Sequence, residues 1–93
     1  MGKKRGRLDI IEDMLLAIQK KGGEIKPTHL MYKSNLSYKQ MNLYLEELIG
    51  KEFVERIQKN EDREVIVIKD RGHHFLSKLQ EMRQFEKTFG LDD

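Results

Sequence analysis

The side chains best suited to chemistry lie close together between residues 37 and 42. Lys39 can donate hydrogen bonds to guanine or to phosphate, whereas Gln40 and Asn42 each pair a donor with an acceptor, as the edge of adenine requires. Tyr38 carries a hydroxyl that can bond a phosphate. If one helix or strand displays these groups together, they predict contacts with a nucleic acid. The alternative is that they form a solvated surface with no binding role.

The pattern of residues 37–49 predicts the helix that would display them. Ser37 is placed to cap its start, Gln40 completes a capping box, and Gly50 is expected to end the helix. One stripe at about 100° per residue is apolar and contains Tyr38, Met41, Leu45 and Leu48, with Tyr44 at its border. The opposite face contains Lys39, Asn42, Leu43 and Glu46. Because Tyr38 lies at the edge of the stripe, its ring can equally belong to the core.

Short elements on both sides position this helix. A first helix starts at Leu8 and ends at Gly22-Gly23, and a second spans Lys26–Lys33 with Pro27 in its first turn. The turn 34–36 follows, with Asn35 suited to a left-handed conformation. Two β-branched strands, 53–57 and 64–68, flank a polar connection over 59–63. Asp70 is expected to cap a last helix running from about residue 71 to about residue 89.

This order of elements is the layout of a winged helix-turn-helix, an α+β fold that is mostly helical. The predicted division is a flexible basic arm over 1–7, a winged domain over 8–69 and a C-terminal dimerisation helix over 70–90. In such a fold, residues 37–49 form the recognition helix that enters the major groove of double-stranded DNA.

The distribution of charge supports a polyanionic partner for the first half of the chain. Residues 1–45 contain nine Lys and Arg against four Asp and Glu, whereas residues 46–93 contain nine against twelve. The basic arm can contact phosphates or enter a minor groove, and the alternative is a solubilising tail. Whether the hairpin tip contacts DNA is left undecided by the sequence, because Glu61 and Asp62 would repel the phosphates. The predicted DNA-contacting residues are Lys3, Lys4, Arg5, Arg7, Thr28, Ser37, Tyr38, Lys39, Gln40, Asn42, Lys59 and Arg63.

The last helix has an apolar stripe that continues to the C-terminus. Its 4-3 rhythm is interrupted by Glu86, and the predicted dimer interface comprises Phe75, Leu76, Leu79, Met82, Phe85 and Phe89. One interpretation is that this helix lies on its own domain. We favour pairing with a second copy, because a body of this size is near the lower limit for folding alone and contains no cysteine to cross-link it.

Several other classes of function are disfavoured by the sequence. The histidines at 29, 73 and 74 lack metal-ligand spacing, and no nucleophile motif or glycine-rich phosphate loop is present. We therefore expect no enzyme activity, no metal and no cofactor. Neither a membrane span nor a secretory signal is evident, which predicts a cytoplasmic, nucleoid-associated protein with no membrane partner.

Four segments resemble a family of archaeal winged-helix regulators, and the first of them is residues 6–11, GRLDII. Residues 28–40, THLMYKSNLSYKQ, are similar to the family pattern T-x-I-M-Y-x-A-N-L-S-Y-x-Q, residues 44–48, YLEEL, to Y-L-x-x-L, and residues 71–76, RGHHFL, to K-G-x-x-F-L. The resemblance implies a dimeric DNA-binding protein whose last helices form an antiparallel coiled coil. It also implies that Ser37, Tyr38, Lys39 and Gln40 open the recognition helix, and some relatives are associated with chromatin.

The sequence departs from this family at three places. Lys69 stands where a capping threonine is common, Ser34 replaces an alanine, and Lys51-Glu52-Phe53 replaces a glycine-leucine pair before the first wing strand. We expect a transcriptional regulator or a chromatin-associated protein. The alternatives are a protein-interaction adaptor that has lost affinity for DNA, and a winged domain that binds RNA.

Overall fold

The computed structural model describes residues 4–92. Within them the chain forms four helices and three strands, in the order α1 (Arg7–Lys20), β1 (Glu24–Ile25), α2 (Pro27–Ser34), α3 (Tyr38–Gly50), β2 (Val54–Asn60), β3 (Arg63–Ile68) and α4 (Asp70–Thr88). The predicted fold class, a mostly helical winged helix-turn-helix, is confirmed. No helix in this part of the chain is long and apolar enough to cross a membrane.

The core lies between the first three helices and the sheet. The fully buried members of α1 and α3 follow the spacing predicted from the sequence, because each helix buries one stripe. They are Met14, Leu15 and Ile18 on α1 and Met41, Leu45 and Leu48 on α3. Tyr38 does not join this stripe, since 65% of its surface is exposed. The interpretation that placed its ring in the core is therefore wrong.

All four helices of the described chain end in the same backbone motif. After each one, two consecutive N–H groups bond back to carbonyls of the last turn, and a residue in the left-handed region links them. Glycine or asparagine occupies that position after α1, α2 and α4, including Asn35 with φ 54° as predicted. Glu52 occupies it after α3, with φ 62°. This is the place where the sequence departs from the glycine of the resembling family.

The sheet has three antiparallel strands in the order β1-β3-β2, so the predicted two-stranded hairpin gains a third strand. Strands β2 and β3, with the turn between them, are called the wing. It is longer than predicted, because both strands extend to the turn at residues 61–62, where the Asn60 side chain accepts from the Asp62 N–H at 3.0 Å. A bulge between Gln58 and Asn60 bends β2 near this tip.

The start of α4 is held against the beginning of the wing. The Lys69 N–H donates to the Phe53 carbonyl oxygen at 2.9 Å, and the rings of Phe53 and Phe75 stack with centroids 4.7 Å apart. Lys69 is the N-cap and its side chain makes no capping bond. The prediction that Asp70 caps this helix is wrong, since Asp70 is already helical, although its charge still favours the first turn.

Candidate nucleic-acid interface

The beginning of α3 has the local geometry that its sequence predicts. The Ser37 hydroxyl accepts from the Gln40 N–H at 3.1 Å, and the Gln40 side-chain oxygen accepts from the Ser37 N–H at 3.0 Å. This reciprocal pair confirms the capping box and fixes the first turn. It also uses one lone pair of the Gln40 oxygen and leaves the amide nitrogen of Gln40 to donate to a ligand.

The exposed face of α3 has a mixed character. Tyr38 and Leu43 are each 65% exposed, and Lys39 and Gln40 lie between them on the surface. Asn42 is half-buried, and its side-chain oxygen accepts from the Arg56 guanidinium at 3.4 Å. Asn42 thus faces the wing strand β2 and is less accessible than the sequence pattern indicated.

A shallow groove runs between the start of α2, the start of α3 and the tip of the wing. Three of the predicted contact residues, Thr28, Tyr38 and Arg63, line it together with Lys26. No side chain caps α2, and Pro27 has no N–H, so the N–H groups that this helix start offers to a phosphate are those of Thr28 and His29. Asp62 and Glu64 also line the groove and make its wing side less positive.

The cations of the wing are partly neutralised within the domain. The Lys59 ammonium lies 3.1 Å from a carboxylate oxygen of Glu24, and the Arg63 guanidinium lies 3.9 Å from the other oxygen. Arg56 is similarly 3.4 Å from Glu64. Because these side chains are substantially exposed, the pairs are weak and can be exchanged for a phosphate.

The predicted basic arm is more engaged with the domain than its composition indicated. Lys3 lies outside the described residues, and Lys4 is exposed. Arg5 donates to the backbone oxygens of Ser34 at 2.7 Å and Asn35 at 3.0 Å, and it pairs with Asp13 at 2.9 Å. Arg5 therefore holds the turn between α2 and α3.

Arg7 is also occupied within the domain. It is the first residue of α1, one residue earlier than predicted, and it forms an ion pair with Glu47 on α3. Of the four arm cations, Lys4 is the one that the structure shows exposed and without an ion pair among residues 4–92.

The predicted dimer residues divide into two groups along α4. Leu76 and Leu79 are only 1% and 5% exposed, and Phe75 is half-buried against the core. These three belong to the domain itself, so their assignment to a partner interface needs correction. Met82, Phe85 and Phe89 are 43%, 57% and 65% exposed, and the rings of Phe85 and Phe89 touch with centroids 4.9 Å apart.

Ion pairs fix α4 to α1 next to these exposed side chains. The Arg83 guanidinium lies 2.8 Å from Asp9 and 3.1 Å from Glu12. Leu8, on the first turn of α1, is 39% exposed, and Leu91 beyond α4 is 65% exposed. The apolar side chains of Leu8, Met82, Phe85, Phe89 and Leu91 are called the α4 patch.

The sequence interpretation missed a set of basic residues beside the groove. Lys26, His29 and Lys33 recur at three- and four-residue intervals and share one side of α2. That spacing is a signal from which these basic residues can be identified in the sequence. Their arrangement with Lys20 and Lys21 on α1 is visible only in the fold.

Comparison with known proteins agrees with this geometry. The profile of the winged helix-turn-helix family matches residues 4–87. No curated protein matches the sequence significantly. Among solved structures, the DNA-binding protein Sso10a-2 from Sulfolobus solfataricus superposes with a TM-score of 0.78 at 19% identity, covering 91% of this chain and 85% of that one.

Two further structures are similar. F93 from STIV, a winged-helix DNA-binding protein, gives a TM-score of 0.72 at 16% identity over 91% of this chain and 95% of its own. The transcriptional regulator BldR from Sulfolobus solfataricus gives 0.72 at 16% identity over 90% of this chain and 62% of its own. At these identities the likeness shows a common fold.

Proposed function

Because this chain belongs to the winged helix-turn-helix family, we propose that it binds double-stranded DNA, with α3 in the major groove and the start of α2 on the phosphate backbone. Its role is that of a transcriptional regulator or a chromatin-associated protein in the cytoplasm, at the nucleoid. In this proposal, the phosphate backbone of the DNA passes along the groove that Thr28, Tyr38 and Arg63 line.

One observation carries this proposal: the capped first turn of α3 displays Tyr38, Lys39 and Gln40 to solvent, next to the uncapped start of α2. The positive end of the α2 dipole favours an anion, and the exposed α3 side chains are of types that form hydrogen bonds with base edges. The DNA-binding proteins Sso10a-2 and F93 support the same use of the fold.

The test is fluorescence anisotropy with a random-sequence duplex, titrated at several salt concentrations. Wild-type protein is expected to bind with an affinity that falls steeply with salt, because phosphate contacts release counterions. Lys39→Gln is expected to weaken binding. The control is Lys87→Gln, which removes the same charge from an exposed position on α4. Removing residues 1–4 tests the arm while keeping Arg5 on its turn. Absence of binding even at low salt would favour the adaptor hypothesis.

We further propose that the protein is a homodimer joined through the α4 patch. The patch consists of large apolar side chains that gain about 25 cal/mol for every Å² removed from water. They lie beyond the part of α4 that packs on its own core, so a second copy can cover them without disturbing the fold. The exposed members of α4 extend over about two helical turns, so the proposed contact is shorter than a long coiled coil.

The dimer is tested by sedimentation velocity on wild-type protein and on Phe85→Glu/Phe89→Glu. The variant is expected to sediment as a monomer with unchanged helical circular dichroism, because both side chains are exposed in the isolated chain. Tyr32→Glu, at an aromatic residue that is 72% exposed on α2, is the matched control and should remain dimeric. A monomeric wild type at micromolar concentrations would refute the proposal.

A further inference from the structure

A second basic surface lies around the side of the domain from α3. Two adjoining hollows between the end of α1, β1 and α2 share Lys21, Ile25 and His29. Their basic lining residues are Lys20, Lys21, Lys26, His29, Lys33 and Arg63, and Ala17 and Ile25 also line them. This surface is called the side groove.

None of the four lysines of the side groove has an acidic partner in the described part of the chain. Lys20, Lys21, Lys26 and Lys33 form no ion pair within residues 4–92, whereas most other cations of the domain do. The one carboxylate in the lining, Glu24, is already shared by Lys59 and Arg63. Like charges gathered on one surface without counter-charge raise the local positive potential, which attracts a polyanion.

The shape of the side groove suits a chain of phosphates better than a small organic ligand. Its two hollows hold about 200 and 300 Å³ and are open to solvent, at or below the lower limit for pockets that enclose such ligands. The groove is also continuous with the hollow beside α3, because Lys26 and Arg63 line both. A phosphate backbone that leaves α3 along this path meets the unpaired lysines next.

We propose that the side groove binds the phosphate backbone of the same duplex, outside the segment read by α3. This inference rests on the proposed function and enlarges the DNA segment that one domain covers. Lys33 on α2 lines only the hollow that lacks Arg63, and Lys21, the C-cap of α1, lines both hollows. Neither lysine lines the hollow beside α3, so the pair reports on the flanking segment.

The experiment compares a duplex of about 15 base pairs with one of about 30, which spans roughly three helical turns. Lys21→Gln/Lys33→Gln is expected to weaken binding of the long duplex and to lower its salt slope by about 2, because each phosphate that a lysine neutralises adds about 0.9 to that slope. The short duplex should be affected much less. Lys51→Gln/Lys87→Gln removes the same charge at exposed sites outside the groove and is the control.

Three results separate the possibilities. An equal effect of the groove variant on both lengths, or an effect no larger than that of the control, would overturn the side-groove proposal while leaving DNA binding by α3 intact. Failure of the wild-type protein to bind either duplex would instead refute the proposed function. Tighter binding to RNA of either length than to DNA would also overturn the assignment to flanking DNA.

A separate observation concerns sequence preference. Leu43 is 65% exposed and lies at the centre of the outward face of α3, directly opposite the buried stripe of Met41, Leu45 and Leu48. Lys39 and Glu46 lie one turn before and after it on the same face. An exposed aliphatic side chain at this place gains free energy when it is buried against an apolar group of a partner. The apolar group that the major groove offers is the thymine methyl.

The geometry points to Leu43 as a specificity-determining residue that packs on a thymine methyl group. Replacing every thymine of a random duplex pool by deoxyuridine removes that methyl and keeps the phosphates and hydrogen-bonding edges. Wild-type protein is expected to bind the thymine pool about fourfold more tightly for each contacted methyl. Leu43→Ala should bind both pools alike.

Tyr32→Ala is the control, because Tyr32 is also exposed, at 72%, but lies on α2 and outside the α4 patch. It should keep the wild-type preference for thymine. Equal binding of the two pools by wild-type protein, or an unchanged preference in Leu43→Ala, would overturn the role given to Leu43. Binding of neither pool would refute the proposed function rather than this inference.

Discussion

The approach of α4 to the wing predicts a large effect of one methyl group at Gly72. A Cβ added there would lie 2.2 Å from the Phe53 carbonyl oxygen and 2.9 Å from the Ile68 side chain. The oxygen cannot retreat freely, because it accepts from the Lys69 N–H and belongs to the residue whose ring stacks on Phe75. The Gly72→Ala change must therefore move the start of α4 or the start of β2.

The magnitude follows from one favourable and two unfavourable contributions. Alanine favours the helical backbone over glycine by about 1 kcal/mol. Overpacking costs about 1–3 kcal/mol, and weakening the Lys69–Phe53 hydrogen bond costs about 1 kcal/mol more. We expect the free energy of unfolding to fall by about 2 kcal/mol, which lowers the melting temperature by about 10 °C in a domain of this size.

Gly50 provides the matched control. It is also helical, at the end of α3, but a Cβ added there meets nothing within 4 Å. Gly50→Ala is therefore expected to raise the melting temperature slightly through helix propensity alone. Thermal unfolding followed by circular dichroism, at one protein concentration for all samples, measures both variants. A Gly72→Ala protein as stable as wild type would refute the close packing of α4 on Phe53.

Three further predictions concern the ends of α2 and α3, each measured by urea unfolding. Ser37→Ala should lower the free energy of unfolding by about 1 kcal/mol, because the hydroxyl caps α3; no change would show that this cap is weak. Ser34→Ala should raise it by about 1 kcal/mol, because the Ser34 hydroxyl is fully buried and finds no partner within residues 4–92; a loss would contradict this. Glu52→Gly should raise it by up to about 1 kcal/mol by relieving the left-handed backbone, and a decrease would refute the strain.

The elements around α3 were predictable because their signals are local. The Ser37 cap, its Gln40 partner and the left-handed Asn35 depend on residues within four positions of one another. The apolar stripes of α1 and α3 likewise repeat at the helical period. By contrast, β1 contains two residues and is too short to show any alternation, so the third strand of the sheet was not expected.

Features that depend on distant residues were not visible in the sequence. Arg5 reads as part of a free basic arm, but it bonds carbonyls 29 and 30 positions away. The apolar stripe of α4 continues along the whole helix. Its periodicity does not show which of these residues pack on the core of the same chain and which are exposed. The fold places the boundary between the two groups after Leu79, so the two interpretations of α4 apply to different halves of the same helix.

The pairing of charges explains why a net charge of only +2 is compatible with a strongly basic surface. Ion pairs occupy most carboxylates of α1 and the sheet, including Asp9 and Glu12 with Arg83 and Glu24 with the wing cations. Four of the lysines left without such partners, Lys20, Lys21, Lys26 and Lys33, line the side groove together, whereas Lys4, Lys39, Lys51 and Lys87 lie outside it. The net charge counts paired and unpaired side chains equally. A polyanion near the surface responds mainly to the unpaired charges within about 10 Å. Neutralising Lys21 and Lys33 should therefore weaken DNA binding far more than the same loss of charge at Lys51 and Lys87.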